Sequence, residues 1–251
     1  MTILTPLEIE KVQTGEDTER ERSVPARVAR AIQDMIAERH LQPGDPLPSQ
    51  RELAGTLQAS RPSVREGISM LETLGLIRVE KRKGLFVAAA AGRLPAEFWP
   101  SGKGYGLREV FEFRAGFEPQ ALALAFPFLK DTGLLRLRRH AEALMLAARQ
   151  GNAVAAAEED TAFHDVIFDH CRNPLFRDIR RHLSKVMQES QWVPMVIIER
   201  VRDTAREHFA IVDAIDANDS AAACAALTDH IRAAARRCDI ELAVPHRGPG
   251  A

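Results

Sequence analysis

Cysteine is scarce in this chain, with three in 251 residues. Cys171, Cys224 and Cys238 lie far apart and form no C-x-x-C pair, which excludes a disulfide scaffold and a zinc ribbon. Aromatic residues make up only 6%, and stretches rich in Ala, Leu, Arg and Glu take their place. Ala and Leu lead the helix propensity scale, so the composition points to helices rather than a β-sandwich. Long apolar runs are missing too. The run Ala121–Leu129 is broken by Pro127 and falls far short of the ~20 residues a membrane helix needs. The opening MTILTPLEIEK has no basic start and no small-residue cleavage site, so the expectation is a cytoplasmic protein. At roughly 100–200 residues per domain, the length allows two domains.

Net charge is also nearly absent, at −1, which by itself argues against a nucleic-acid partner. Its distribution reverses that reading. Residues 1–22 carry −3, residues 23–88 carry +3 and the remainder carries −1, and seven of the ten basic groups in the middle segment fall between Arg51 and Lys83. A local excess of this kind is what a DNA footprint requires, although a solvated surface can produce it as well.

The basic segment has its own periodicity. Val24, Val28, Ile32, Met35 and Ile36 lie on one helical stripe, which the Pro/Gly cluster in LQPGDPLPS ends. A second helix opens at Ser49 with Glu52 three residues on, a capping box, and buries Leu53, Ala54 and Leu57. After the turn Gln58-Ala59, Ser60 can cap a third helix that turns Val64, Ile68 and Leu71 inward and ends at Gly75. Two short helices joined by a tight turn match a helix-turn-helix. Arg61 and Arg65 then share the outer face of the third helix, where a recognition helix meets base edges. The following IRVEKRKGLFV reads as two strands around a basic turn at Lys81, Arg82, Lys83 and Gly84, the form of a wing whose cations track phosphates.

The run LPSQRELAGTLQASRPSVREGISMLETLGLIRVEKRKGLFV resembles the winged-helix domain of GntR-family transcription regulators. The resemblance implies DNA contacts from Arg51, Arg61, Arg65 and the backbone around Gly84, with Ser60 and Ser63 as phosphate partners. Gln50 stands where the family usually has an acid. Arg82 stands where the wing often has its first glycine, which questions the turn geometry while adding a cation.

Residues 89–106 are rich in Gly, Pro and Ala and read as a linker, with Phe98 and Trp99 expected to dock it. From residue 107 amphipathic segments follow one another at about 107–129, 131–150, 152–171, 173–190, 194–217 and 219–243, an antiparallel bundle of six or seven helices. The fold class expected is therefore mostly α, a winged helix-turn-helix over 23–88 followed by an all-α bundle over 107–243. An acidic arm at 1–22 is expected to be disordered, and 244–251 to form a flexible tail.

Four residues of the bundle are unusual core material. Asp160 and His164, spaced i, i+4, share one helix face. His208 lies on the stripe of Ile211, Val212 and Ile215, and His230 lies among Leu227, Ile231 and Ala234. A lone inward His is most often a hydrogen-bonded core residue, but an inward Asp needs a partner. Together the four suggest one metal centre suited to Zn²⁺, Ni²⁺ or Mn²⁺. A metal-dependent hydrolase or lyase is the alternative function. Against it, Glu158, Glu159 and Glu207 read as exposed helix residues, which leaves no general base.

The segments EDTAFHDVIFDHCRNPLF, AREHFAIVDAID and LTDHIRAA resemble the FCD-type ligand-binding domain of the FadR subfamily. The resemblance implies a metal held by Asp160, His164, His208 and His230, and leaves His140, His170, His182 and His246 as surface groups. LREVFEFRAGFEPQALALAF resembles the first helix of that domain, which makes Arg114 a candidate to bind an effector carboxylate. The alternative for Arg114 is a surface pair with Glu118. Relatives that sense long-chain acyl-CoA tend to lack the metal set, so a small hydroxy, keto or sugar acid is implied. The implied whole is a homodimeric repressor on a pseudo-palindromic duplex operator, controlled by a small carboxylate at the metal centre, with no membrane partner.

Overall fold

The structure, a computed structural model, describes residues 23–89, 95–100 and 104–243. The arm 1–22, the tail with His246, and linker positions 90–94 and 101–103 lie outside the described residues. Among those described, ten α-helices and one small sheet form a winged helix-turn-helix and a helical bundle.

In the winged helix, α1 (Val24–Glu38), α2 (Gln50–Thr56) and α3 (Arg61–Thr73) start where the capping residues put them. Ser23 accepts from the Ala26 amide, Ser49 and Glu52 form the reciprocal capping box, and Ser60 accepts from the Ser63 amide. Val24, placed on the buried stripe by its spacing, is instead exposed at the first turn, and Ala26, Val28, Ala29 and Ile32 make the inner face. α1 and α3 approach closely at Gly67, where a Cβ would stand 2.7 Å from the Pro25 carbonyl oxygen. LQPGDPLPS does more than end α1: Pro46–Leu47 forms β1, which pairs antiparallel with β3 (Gly84–Val87). β3 lies between β1 and β2 (Ile77–Glu80), with Ile77 opposite Val87 and Glu80 opposite Gly84. At the wing tip Arg82 takes the left-handed conformation, φ 65°, that a glycine would occupy without strain.

The bundle comprises α4 (Leu107–Ala125), α5 (Thr132–Gln150), α6 (Ala153–His170), α7 (Pro174–His182), α8 (Ser184–Trp192), α9 (Val201–Asp216) and α10 (Ser220–Arg236). The stretch 173–190 divides at Leu183 into α7 and α8. The stretch from 194 begins as two 3-10 turns around Pro194, so α9 starts only at Val201. Asn173 caps α7, with Pro174 at the first helical position. α6 is buried on most of its circumference and is the central helix, with Ala156, Ala157, Phe163, Val166 and Ile167 all inaccessible.

The winged helix docks on the N-terminal half of α6. One apolar cluster runs from Val28, Ile32 and Leu71 into Leu144, Val154 and Ala157. Arg30 of α1 forms an ion pair with Glu158, and Gln33 accepts a hydrogen bond from the Val154 amide at 3.2 Å. Phe98 is buried against Gly75. Among the described residues, no helix is long and apolar enough to cross a membrane.

Candidate metal centre and DNA-binding surface

The winged-helix cations singled out for DNA contact all lie outside. Arg51 is exposed in the first turn of α2, and Arg61 and Arg65 are exposed on the first two turns of α3. The Ser60 and Ser63 hydroxyls are 2.9 Å apart, and Ser60 caps α3 by accepting from the Ser63 amide. Lys81, Arg82, Lys83 and Gly84 are exposed at the wing tip, with Lys83 Nζ 3.1 Å from Glu80.

Inside the bundle the charges are arranged in the opposite way. α6 carries Asp160 and His164, α9 carries His208 and α10 carries His230, each at 2% exposure or less. One donor atom from each lies within 4.8 Å of the other three, so the structure brings all four together as a buried group that could hold a metal. His164 Nε2 stands 3.3 Å from His230 Nε2, and His208 Nε2 stands 3.3 Å from Asp160 Oδ1. Two nitrogens at the usual zinc distance, set at a tetrahedral angle, would be about 3.3 Å apart. Asp160 Oδ1 has no partner within the protein besides His208 Nε2 at 3.3 Å, and His208 Nδ1 has none. A buried acceptor left unpaired is costly, and a cation at this point would satisfy it. The donor set therefore fits a divalent ion.

Carboxylates stand behind two of the three imidazoles. His164 Nδ1 lies 2.6 Å from Glu118 Oε2 of α4, and His230 Nδ1 lies 2.9 Å from Glu207 Oε2 of α9. An arginine grips each carboxylate in turn. Arg114 Nε donates to Glu118 Oε1 at 2.6 Å, and Arg114 Nη1 donates to Ser190 Oγ at 3.1 Å. Arg237 holds both oxygens of Glu207, at 2.8 and 3.0 Å. The third ring, of His208, stacks on Phe163 with centroids 3.8 Å apart.

The electrostatics keep the carboxylates ionised and the His208 and His230 rings neutral. Burial would raise the Glu118 carboxyl, but Arg114 and His164 outweigh it and hold the group below the ordinary carboxylate range. Against burial, Arg237 and His230 hold Glu207 at about 2, and His208, His164 and His230 hold Asp160 at about 2. Burial pushes His208 down to about 4 and lowers His230, with Asp160 and Glu207 offsetting part of each shift. Neutral imidazoles are the form that ligates.

Several sequence expectations are corrected here. Arg114 and Glu118 do form the i, i+4 pair, but at 1% exposure each rather than on the surface. Glu158, Glu159 and Glu207 are partly buried and paired, with Arg30, His140, and His230 plus Arg237 respectively. His140 is accordingly half-buried rather than a surface group, and His170 is likewise half-buried, its Nδ1 2.8 Å from the Val166 carbonyl oxygen. Glu118, Glu207, Arg237 and Ser190 join the site without having been singled out for it. Their side chains meet across helices, a relation that spacing along one helix does not encode.

The family model "Bacterial regulatory proteins, gntR family" matches residues 25–87, and the model "FCD domain" matches residues 109–233. The chain is 29% identical over 214 residues to the HTH-type transcriptional repressor NanR of Cronobacter sakazakii, covering 81% of each chain. It is 26% identical over 217 residues to the uncharacterized HTH-type transcriptional regulator YcbG of Bacillus subtilis, covering 86% of this chain and 90% of that one. A solved structure described as a GntR transcriptional regulator from Rhodococcus sp. RHA1 shares the fold, with TM-score 0.51, 19% identity, and coverage of 87% of this chain and 99% of that one. The matched families and these relatives are transcription regulators rather than enzymes, so the hydrolase or lyase alternative has no counterpart among them.

Proposed function

The chain belongs to the gntR family of bacterial regulatory proteins and carries an FCD domain, and from that premise we propose that it is a homodimeric repressor whose operator affinity is set by a small carboxylate bound at a metal centre in the bundle. It is a DNA-binding transcription regulator. The repressor sense follows relatives that are named repressors. A two-fold dimer would read a pseudo-palindromic duplex, Arg61 and Arg65 facing base edges while Arg51, Ser60, Ser63, Lys81, Arg82, Lys83 and Gly84 meet the backbone.

The observation that carries the sensory part is the buried convergence of four donors within 4.8 Å. Asp160, His164, His208 and His230 would hold Zn²⁺, Ni²⁺ or Mn²⁺. A bound ion would supply a Lewis acid with positions left for the oxygens of a hydroxy, keto or sugar acid. Arg114 is the guanidinium proposed to meet the effector carboxylate, and to do so it must exchange its contact with Glu118.

α6 supplies the route to DNA. It presents Asp160 and His164 to the donor cluster, while Glu158 and the Val154 amide hold α1 of the winged helix. Other α6 residues, Thr161 and Asp165 among them, wall an open cleft of about 1440 Å³ beside α1 and α3. A ligand that binds better to one pose of α6 than another shifts the winged helices, and such coupling is typically ~1–3 kcal/mol, or about 5–150-fold in operator affinity.

Complete burial of the ligand set also favours a purely structural ion. Chelation separates the two readings. A sensory ion leaves a folded apoprotein with an altered operator response to carboxylates, whereas loss of helical circular dichroism on chelation makes the ion structural.

A further inference from the structure

The donor cluster is flanked by two arms of the same composition. One reads Arg114, Glu118, His164, and the other reads Arg237, Glu207, His230; the two meet where the Nε2 atoms face each other at 3.3 Å. We propose that Glu118 and Glu207 are positioning residues of the metal centre, each fixing one imidazole as the tautomer whose Nε2 is the donor, and that Arg114 and Arg237 lock those carboxylates in place. The inference rests on the metal reading above and extends it to residues outside the ligand set.

A carboxylate gripped by a guanidinium is ionised and can only accept. His230 Nδ1 hydrogen-bonds Glu207 at 2.9 Å and so carries its proton, and His164 Nδ1, in ion-pair contact with Glu118 at 2.6 Å, must carry one too, because a ring lone pair that close to an anionic oxygen would be repelled. In the neutral ring this leaves a lone pair on each Nε2. Two lone pairs facing each other across 3.3 Å repel unless a cation lies between them, so the arms make the cluster a pair of preset donors. His208 has no such arm, since its Nδ1 is unpartnered and its plane is set by the Phe163 ring.

The arms differ in a way that makes the proposal testable. In the sealed arm each Glu118 oxygen has one main partner, Oε1 facing Arg114 Nε and Oε2 facing His164 Nδ1. An amide at this position must give its oxygen to the buried arginine, which has only donors, and so turns its NH₂ toward Nδ1. Nδ1 then has to accept, the ring proton moves to Nε2, and that nitrogen can no longer ligate. In the other arm Glu207 is 23% exposed, and its Oε2 serves both Arg237 and His230. There an amide keeps its oxygen on Nδ1–H, so the tautomer survives while the charge and the Arg237 Nη1 hydrogen bond are lost.

The test uses the full chain with ¹⁵N-labelled histidine. Zinc affinity is measured by competition with a chromophoric chelator, ring tautomers are read by long-range ¹H–¹⁵N correlation in metal-free protein, and circular dichroism checks the fold. Glu118→Gln is expected to weaken zinc binding 10–100-fold, the usual range for loss of such a partner, and to move the His164 proton from Nδ1 to Nε2. Arg114→Met combined with Glu118→Gln frees the amide to turn its oxygen to Nδ1, and should restore the tautomer and most of the affinity. Glu207→Gln is expected to keep the tautomer and lose less; being on the half-open arm, it also serves if the Glu118 variant does not fold. A wild-type protein that binds no zinc overturns the metal reading together with this inference. Wild-type binding with Glu118→Gln folded and unchanged in both affinity and tautomer overturns this inference alone.

Discussion

The two halves of the molecule use charge in opposite ways. In the winged helix, Arg61, Arg65, Lys81 and Arg82 stand in solvent, and the counterion proposed for them is the DNA backbone. In the bundle, Arg114 and Arg237 are at most 5% exposed, and their counterions are Glu118 and Glu207 of the same chain. An exposed cation is free energy held for a partner, whereas a buried one must be neutralised on folding. The first kind of site can be assembled from local turns and caps. The second exists only once three or four helices have packed.

The largest expected effect lies on the buried side. His164→Ala removes one donor and should abolish metal-dependent ligand response while operator binding survives, as measured by anisotropy with and without carboxylates. Loss of operator binding through misfolding would instead make the centre structural. Next comes the exposed side. Arg65→Ala should cost ~1–3 kcal/mol on the operator and much less on random DNA, and equal losses on both would move Arg65 from base to phosphate contact.

How far each half was legible in the sequence follows from the same contrast. Ser49, Ser60 and Gly75 act on their own neighbours, so the helix-turn-helix and its exposed cations could be read directly. β1 was not legible, because Pro46 and Leu47, followed by a second proline, gain strand identity only from pairing with Phe86 and Leu85. In the bundle Asp160, His164, His208 and His230 stood out as polar residues on apolar stripes, and the structure brings them together. Their partners did not stand out. Glu207 sits beside His208 in sequence, yet serves His230 on the neighbouring helix. The break at Leu183 was hidden because the apolar pattern continues across it.

Smaller perturbations address the junction and the wing. Glu158→Ala removes the ion pair to Arg30, and should reduce the ligand-induced change in operator affinity more than it reduces metal affinity. Equal ligand response in this variant would rule out α6 and α1 as the route. Arg82→Gly relieves the left-handed backbone, worth about 1 kcal/mol, and removes a cation. Thermal stability should rise slightly while the slope of log affinity against log salt falls by about one. Cys238 reports on how well the bundle is sealed, since burial pushes its thiol up to about 12. The folded thiol stays protonated where the unfolded one ionises, so this group withdraws stability as pH rises above about 9. Alkylation of Cys238 in folded protein should be far slower than that of the unfolded thiol at every pH between 7 and 9, and comparable rates would show an open site.

The measurement that bears most directly on the central claim is operator affinity at fixed salt, with zinc-loaded and chelator-stripped protein each titrated with hydroxy, keto and sugar acids. The account predicts that at least one acid changes operator affinity by fivefold or more in the loaded protein, and that stripping the metal removes the effect while the fold remains. Equal responses in loaded and stripped protein would contradict it, and would place effector sensing away from Asp160, His164, His208 and His230.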